Sequence, residues 1–325
     1  MLGGLLSDRK FGGAIVRPCA GEPFYHSGDA LATIVGVPAV AGIDAGMISG
    51  KASLAGVAGW PITHSRSPRL YNFWLRRYEI DGAYVPLAIE PDSFETAVRA
   101  LPKLGFSGCN VTLPHKEAAL RVCDWVDPAA RRIGAVNTIV VAEDGSLEGS
   151  CTDGFGFWQA LKEGAPDLDL STALALLVGA GGSAKAIAVA LLDAGVAEII
   201  ILNPTRTRAE KLSAALDGAV KVGDWSRRSE QLGAAQLLIN STTQGMQGQP
   251  ALDLALDALP QNAVVMDAVY TPLLTPLLAA AQRRGNQIVD GLGMLLHQAR
   301  PGFAAWFGQQ PVVDQDVRDH VLLDL

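Results

Sequence analysis

The chain has 325 residues, 49% of them apolar and 18% charged, with a net charge of −7. That length suggests two domains of ordinary size, with ample material for large buried cores. The acidic balance argues against a nucleic-acid partner, whose phosphate backbone needs a basic surface, but it leaves room for a local anion site built from a few donors.

No apolar run reaches the ~20 residues that span a bilayer, so no membrane partner is expected. Residues 31–40 are apolar, but Gly36 and Pro38 interrupt them, and Asp29 precedes them where a signal peptide carries basic residues. The cysteines are Cys19, Cys109, Cys123 and Cys151; they form no C-x-x-C pair and have no zinc-ligand spacing with a histidine. No metal is expected, and a reduced cytoplasmic chain is the natural reading.

Residues 1–46 are rich in Gly and show no helical or strand period. A disordered extension, or a start codon assigned too far upstream, is expected there. Patterning begins at residue 54. The spacing predicts strands over 54–58, 83–87, 106–111 and 137–142. It predicts helices over about 68–78, 91–103, 115–122 and 127–132. Alternation at this spacing favours a mostly parallel sheet covered on both faces. Residues 137–142 and 147–151, joined through Asp144-Gly145, read as a hairpin closing this unit.

The strand over 106–111 runs into Val111-Thr112-Leu113-Pro114-His115-Lys116. Pro114 cannot donate to a sheet ladder, so the strand ends there and leaves Thr112 and Lys116 at its mouth. A lysine on a loop is ordinarily a solvated surface group. Here Asn137, in Gly134-Ala135-Val136-Asn137-Thr138, and Asp153, in Thr152-Asp153-Gly154, also stand where apolar runs begin or end. Polar groups collected at strand mouths point to an active site.

A second alternation begins near Thr172. The apolar strand 173–178 runs into Gly179-Ala180-Gly181-Gly182-Ser183-Ala184, followed by a helix over 185–194 and a strand over 198–202. A Gly-rich turn between a strand and a helix suits a dinucleotide. The first glycine permits the turn, the second lets backbone approach a phosphate, and helix N–H groups hold the anion. The second strand ends in Asn203-Pro204-Thr205-Arg206-Thr207-Arg208, with no carboxylate before Glu210. Guanidinium groups there suit a 2′-phosphate and favour NADP over NAD; the plainer reading makes them solvated residues opening the next helix. Strands over 237–239, 264–269 and 287–289 end in polar or Gly-rich loops, and a closing helix is predicted over 294–307. Ligands in open α/β sheets bind outside the carboxyl ends of strands.

Together these motifs resemble the shikimate dehydrogenase family over residues 54–325. The resemblance rests on Gly59-Trp60-Pro61-Ile62-Thr63-His64-Ser65-Arg66-Ser67-Pro68, the GxNVTxPxK stretch ending at Lys116, and GAVNT at 134–138. It continues through TDG at 152–154, GAGGSA at 179–184, Asp267-Ala268-Val269-Tyr270-Thr271-Pro272 and GLGMLLHQ at 291–298. It implies a two-domain α/β fold, with a substrate-binding catalytic domain over 47–152 plus 291–325 and a Rossmann-like dinucleotide domain over 153–290. The C-terminal helix is expected to return to the first domain, leaving the site in the cleft. The implied reaction is the reversible, NADP-dependent reduction of 3-dehydroshikimate to shikimate in aromatic amino-acid biosynthesis, by a monomer or homodimer.

The resemblance assigns catalysis to Lys116 and Asp153. It assigns substrate binding to Ser65, Ser67, Thr112, Asn137, Asp153, Tyr270 and Gln298. It gives the cofactor Gly179, Ala180, Gly181, Gly182, Ser183, Asn203, Thr205, Arg206, Arg208, Ala268 and Gly291. The chemistry of these side chains is apt: Ser65 and Ser67 offer hydroxyls to a carboxylate, and Asn137 and Gln298 can each donate and accept toward a hydroxyl. Ser67 before Pro68 also reads as a helix N-cap. The chain departs from the family pattern at three points: Tyr71 stands where histidine is frequent, Cys151 where asparagine is common, and Pro204 where NADP-type members carry arginine. Two alternatives follow: a quinate/shikimate dehydrogenase, possibly linked to NAD, and a nucleotide-binding module without chemistry. Ser67, where quinate-preferring relatives often carry threonine, favours shikimate.

Overall fold

The computed structural model describes residues 48–216 and 218–323. The expectations for residues 1–46 lie outside the described residues. The first layer holds β1 (Ser53–Gly59), α1 (Ser67–Arg77), β2 (Gly82–Ala88), α2 (Phe94–Ala100) and β3 (Phe106–Val111). It continues with α3 (Lys116–Val122), β4 (Trp125–Val126), α4 (Pro128–Ile133), β5 (Thr138–Val141) and β6 (Leu147–Ser150). These strands form a six-stranded sheet in the order β2-β1-β3-β5-β6-β4. β1 pairs in parallel with β2 and β3, whereas β5 pairs antiparallel with β3 and β6, so the predicted hairpin is present.

α5 (Asp153–Gly164) leads into the second sheet. It is followed by β7 (Leu174–Val178), α6 (Gly182–Asp193), β8 (Glu198–Leu202), α7 (Arg206–Ala214), β9 (Val220–Val222) and β10 (Leu237–Asn240). β11 (Val264–Asp267), α8 (Pro276–Arg283) and β12 (Gln287–Val289) complete this half, and α9 (Gly291–Phe307) and α10 (Gln315–Leu322) end the described chain. The strand order is β12-β11-β10-β7-β8-β9 and every pairing is parallel. This is the order of a Rossmann sheet, whose direction of winding reverses between β7 and β10. β10 and β11 are buried along their whole length, as strands covered on both faces must be.

α9 ties the two sheets together. Its Leu292, Leu296, Ala299, Phe303 and Trp306 share a core with Ala55, Val57, Tyr71, Trp74 and Tyr84 of the first sheet and its helix. The Trp306 indole donates to Ile139 O at 3.1 Å, and the Tyr71 phenol donates to Ala299 O at 2.9 Å.

Several predicted boundaries move. The helix expected over 91–103 is a short α2 flanked by 3₁₀ turns, because Pro91 and Pro102 each remove a backbone donor. The helix after the Gly-rich turn starts at Gly182, and the closing helix starts at Gly291, where Asp290 caps the N–H groups of Leu292 and Gly293. The strand expected over 264–269 stops at Asp267, whose carboxylate turns back to accept from Val269 N–H.

Asp267 is fully buried and also accepts from Asn240 Nδ2 at 3.0 Å and the Thr275 hydroxyl at 2.7 Å. Burial nevertheless pushes its pKa up from 3.8 to about 6, with these donors opposing. A carboxyl that holds its proton more tightly when folded adds stability below its unfolded value, and that stability is lost as pH rises through its folded value. Asp267→Asn should therefore remove a loss of up to about 3 kcal/mol that the native protein shows between about pH 4 and 6. Urea denaturation of both proteins across that range would show the difference; parallel profiles would refute it.

Candidate active site

β3 ends at Val111 and α3 opens on Lys116, so the intervening turn delivers the lysine to the mouth of the sheet. Asp153 opens α5 after β6. The two meet: Lys116 Nζ lies 2.5 Å from Asp153 Oδ2, with side chains 20% and 10% exposed. Burial opposes the ammonium charge. The Asp153 carboxylate, through its charge and the direct hydrogen bond, outweighs it and raises the Lys116 pKa above the usual 10.5. Burial, then the Asp153 charge, pushes the Cys151 thiol up to about 12, so it stays protonated beside the pair.

Asn137 completes the carboxylate's surroundings, donating from Nδ2 to Asp153 Oδ1 at 2.7 Å and to Gln298 Oε1 at 3.2 Å. Its Oδ1 accepts from Thr152 N–H at 2.9 Å and from the hydroxyls of Thr138 and Thr152 at 2.9 and 3.2 Å. The expectation that Asn137 both donates and accepts toward a ligand is therefore corrected: its oxygen is taken up inside the protein. Gln298, which also lines the cavity, accepts the bond from Asn137 Nδ2 at Oε1. In this cluster Asp153 accepts from both Lys116 and Asn137.

Lys116, Asp153, Asn137 and Gln298 line a cavity of about 220 Å³ together with Ser65, Ser67, Thr112 and Tyr270. Every residue expected to touch substrate thus lies on one cavity. Burial raises the Tyr270 pKa, against the influence of Arg66, and keeps it a neutral phenol. Ser67 is not the helix cap: it is the first residue of α1, and its N–H donates to the Ser65 hydroxyl at 3.3 Å. Its side chain lines the cavity.

Ser183, Ala268 and Gly291 close the same cavity from the second sheet. A larger cavity of about 920 Å³ lies alongside; it shares Ser183, Ala268 and Tyr270 and adds Ser241, Thr242 and Thr243 after β10. The Gly-rich turn stands where the sheet's winding reverses. Gly179 has φ +116°, and a Cβ there would collide with Ser241 Oγ, so only glycine fits. A Cβ on Gly181 or Gly182 would meet nothing within 4 Å, and α6 begins at Gly182. This open helix N-terminus fits a pyrophosphate.

Asn203, Thr205, Arg206 and Arg208 stand after β8, and Gly179 N–H donates to Leu202 O at 2.9 Å, which joins the two turns. None of these four lines either cavity. Asn203 Nδ2 donates to Thr205 O at 2.9 Å, and Arg206 Nε donates to Glu210 at 2.8 Å within α7.

Residues 57–139 match the model of the shikimate dehydrogenase substrate binding domain, and residues 161–247 that of shikimate / quinate 5-dehydrogenase. Shikimate dehydrogenase (NADP(+)) of Paramagnetospirillum magneticum is 58% identical over 275 residues, spanning 85% of this chain and 100% of that protein. The chain belongs to the shikimate dehydrogenase family. The enzyme of the same name from Rhodospirillum rubrum is 52% identical, over 85% of this chain and 99% of its own. The crystal structure of shikimate 5-dehydrogenase from Thermus thermophilus, in complex with NADP(H) and shikimate, is similar with a TM-score of 0.74 and 35% identity. The match covers 83% of this chain and 98% of that one.

Sequence reasoning missed His64, Asn110, Met294 and Leu295 on the cavity wall of this family member, and the Thr138 and Thr152 hydroxyls behind it. Asn110 carried a signal: an amide inside an apolar strand requires buried partners. Gly156 was missed as well. A Cβ on it would meet Met294 O at 2.5 Å and Gln298 Cβ at 2.6 Å, so α5 and α9 touch through a glycine directly behind Gln298. Gly156→Ala should lower stability by about 1–3 kcal/mol, as overpacking does, and raise KM for substrate as Gln298 shifts. Thermal melts and initial rates would check it; unchanged values would show that the helices separate freely.

Proposed function

We propose that this protein is an oxidoreductase catalysing the reversible NADPH-dependent reduction of 3-dehydroshikimate to shikimate in aromatic amino-acid biosynthesis. The observation that carries this reading is the Lys116–Asp153 pair at 2.5 Å, set in a cavity that Ser65, Ser67, Thr112, Tyr270 and Gln298 also line and that lies beside a dinucleotide turn. Relatives 58% and 52% identical are both named NADP(+) shikimate dehydrogenases, which supports NADP and disfavours the quinate and inactive alternatives. The same reading divides the chain into a substrate domain (47–152 plus 291–325) and a cofactor domain (153–290), with the site in their cleft. Among the described residues Cys109, Cys123 and Cys151 are free thiols, which accords with a cytoplasmic location for a monomer or homodimer.

When bound, the nicotinamide supplies or accepts a hydride. Gly179, Ala180, Gly181, Gly182 and Ser183 would hold the pyrophosphate. Asn203, Thr205, Arg206 and Arg208 would meet the adenosine end, with Ala268 and Gly291 beside the nicotinamide. Ser65 and Ser67 take the substrate carboxylate; Thr112, Asn137, Tyr270 and Gln298 bracket the ring. As the substrate carbonyl gains negative charge, the Lys116 ammonium stabilises it and transfers a proton from Nζ. Asp153 keeps Lys116 protonated beforehand, orients it, and accepts from a neighbouring substrate hydroxyl.

Initial rates with shikimate or quinate and NADP⁺ or NAD⁺ test the assignment. The highest kcat/KM is expected for shikimate with NADP⁺; a higher value for quinate with NAD⁺ would reverse it. Lys116→Ala should lower kcat by roughly 100-fold or more, and Asp153→Asn should also lose activity, both with native circular dichroism. Oxidation of shikimate needs the neutral amine, whose pKa is raised, so its kcat/KM should still climb near pH 10. A plateau below pH 9 would contradict the proton-transfer role of Lys116.

A further inference from the structure

Tyr84, on β2, is 1% exposed and lines neither cavity. Its ring stacks on Tyr71, with centroids 3.9 Å apart and planes 8° apart. Its hydroxyl lies 2.6 Å from Asn110 Oδ1. Asn110 Nδ2 lies 3.2 Å from Asn137 O and 3.1 Å from Thr138 Oγ1. Thr138 Oγ1 in turn lies 2.9 Å from Asn137 Oδ1, and Asn137 Nδ2 reaches Asp153. A continuous chain of hydrogen bonds thus runs from a buried tyrosine to the carboxylate beside Lys116.

The direction of every bond in this chain is determined by two backbone groups. Asn137 O can only accept, so the Asn110 group facing it must be the NH₂, and Asn110 Oδ1 must face Tyr84. Tyr84 must then be the donor, and burial, which raises its pKa well above 10, keeps the proton in place. At the far end Thr152 N–H can only donate, so the atom of Asn137 that receives it must be the oxygen. Thr138 accepts from Asn110 and therefore gives its own proton to Asn137.

We propose that Tyr84 is a positioning residue for the reaction. Through Asn110 and Thr138 it holds the Asn137 amide with both N–H groups turned to Asp153 and Gln298. This rests on the proposed function and extends it to a residue that touches neither ligand. Without the phenolic proton, Asn110 Oδ1 is a buried acceptor lacking its donor. The Asn110 amide is then no longer fixed, and its Nδ2 bond to Thr138, which aligns that hydroxyl with Asn137, loosens together with the group that orients Asp153.

A double-mutant cycle tests it. Tyr84→Phe keeps the ring stack and removes one hydroxyl. Its kcat for shikimate oxidation is expected to fall roughly tenfold, the scale of one lost hydrogen bond, with KM for NADP⁺ unchanged. The ¹⁵N side-chain amide resonance of Asn137 should also move. In a Thr138→Val background the same substitution should lower kcat no further, because the link is already cut, whereas Thr138→Ser should keep near-native turnover. Equal losses in both backgrounds, or native kcat with an unmoved Asn137 resonance, would overturn the proposal. The resonance reports on the link even in a protein that fails to turn over shikimate, so a wrong function and a wrong role for Tyr84 give different results.

Discussion

The site depends on one constraint: an ammonium and a carboxylate, both largely withdrawn from water, must stay paired. Burial alone would drive Lys116 toward its neutral form, and the Asp153 charge reverses that outcome. A lone buried lysine would lose its proton before any carbonyl arrived. The carboxylate thus keeps the amine in the state the chemistry needs. Their elements serve this end: α3 opens on the lysine and α5 on the aspartate, so both side chains leave the first turn of a helix.

The same constraint explains the contact between helices that behave as a unit. α5 carries Asp153 and α9 carries Gln298, and Gly156 lets the two helices approach until backbone meets side chain. α9 also anchors in the first sheet through Tyr71 and Trp306. A single helix therefore relates the cavity to both sheets. Asn110 on the cavity wall, with the threonine hydroxyls and Tyr84 behind it, supplies a buried polar network in which the Asn110 and Asn137 amides each have one permitted orientation. Such a network is rigid because each alternative arrangement leaves a donor or acceptor unpaired.

Much of this was legible in the sequence. Alternating apolar runs gave both sheets, since strands covered on two faces must be continuously apolar: Leu174 to Val178 and Leu237 to Ile239 are examples. Pro114 marked the end of β3 and so the place of Lys116. Gly179 marked the turn at the reversal of winding. Other features left no local trace. α5 begins at Asp153-Gly154 and includes Gly156, and glycines argue against a helix until the partner helix that requires them is known. The orientation of Asn137 depends on Thr152 N–H and Thr138, groups whose positions follow from sheet pairing and not from spacing along the chain. Arg206 could be read as a phosphate ligand or a solvated arginine, and in the structure it pairs with Glu210.

The most direct measurement is the titration of the Lys116 Nζ group by ¹⁵N-detected NMR, in the native protein and in Asp153→Asn. The native amine is expected to titrate above the ordinary lysine value of 10.5. With the carboxylate removed, burial is left as the dominant influence, and the amine should titrate below that value. A native Lys116 that titrates at or below 10.5, and that does not respond to loss of the Asp153 charge, would contradict the pairing on which the site is built.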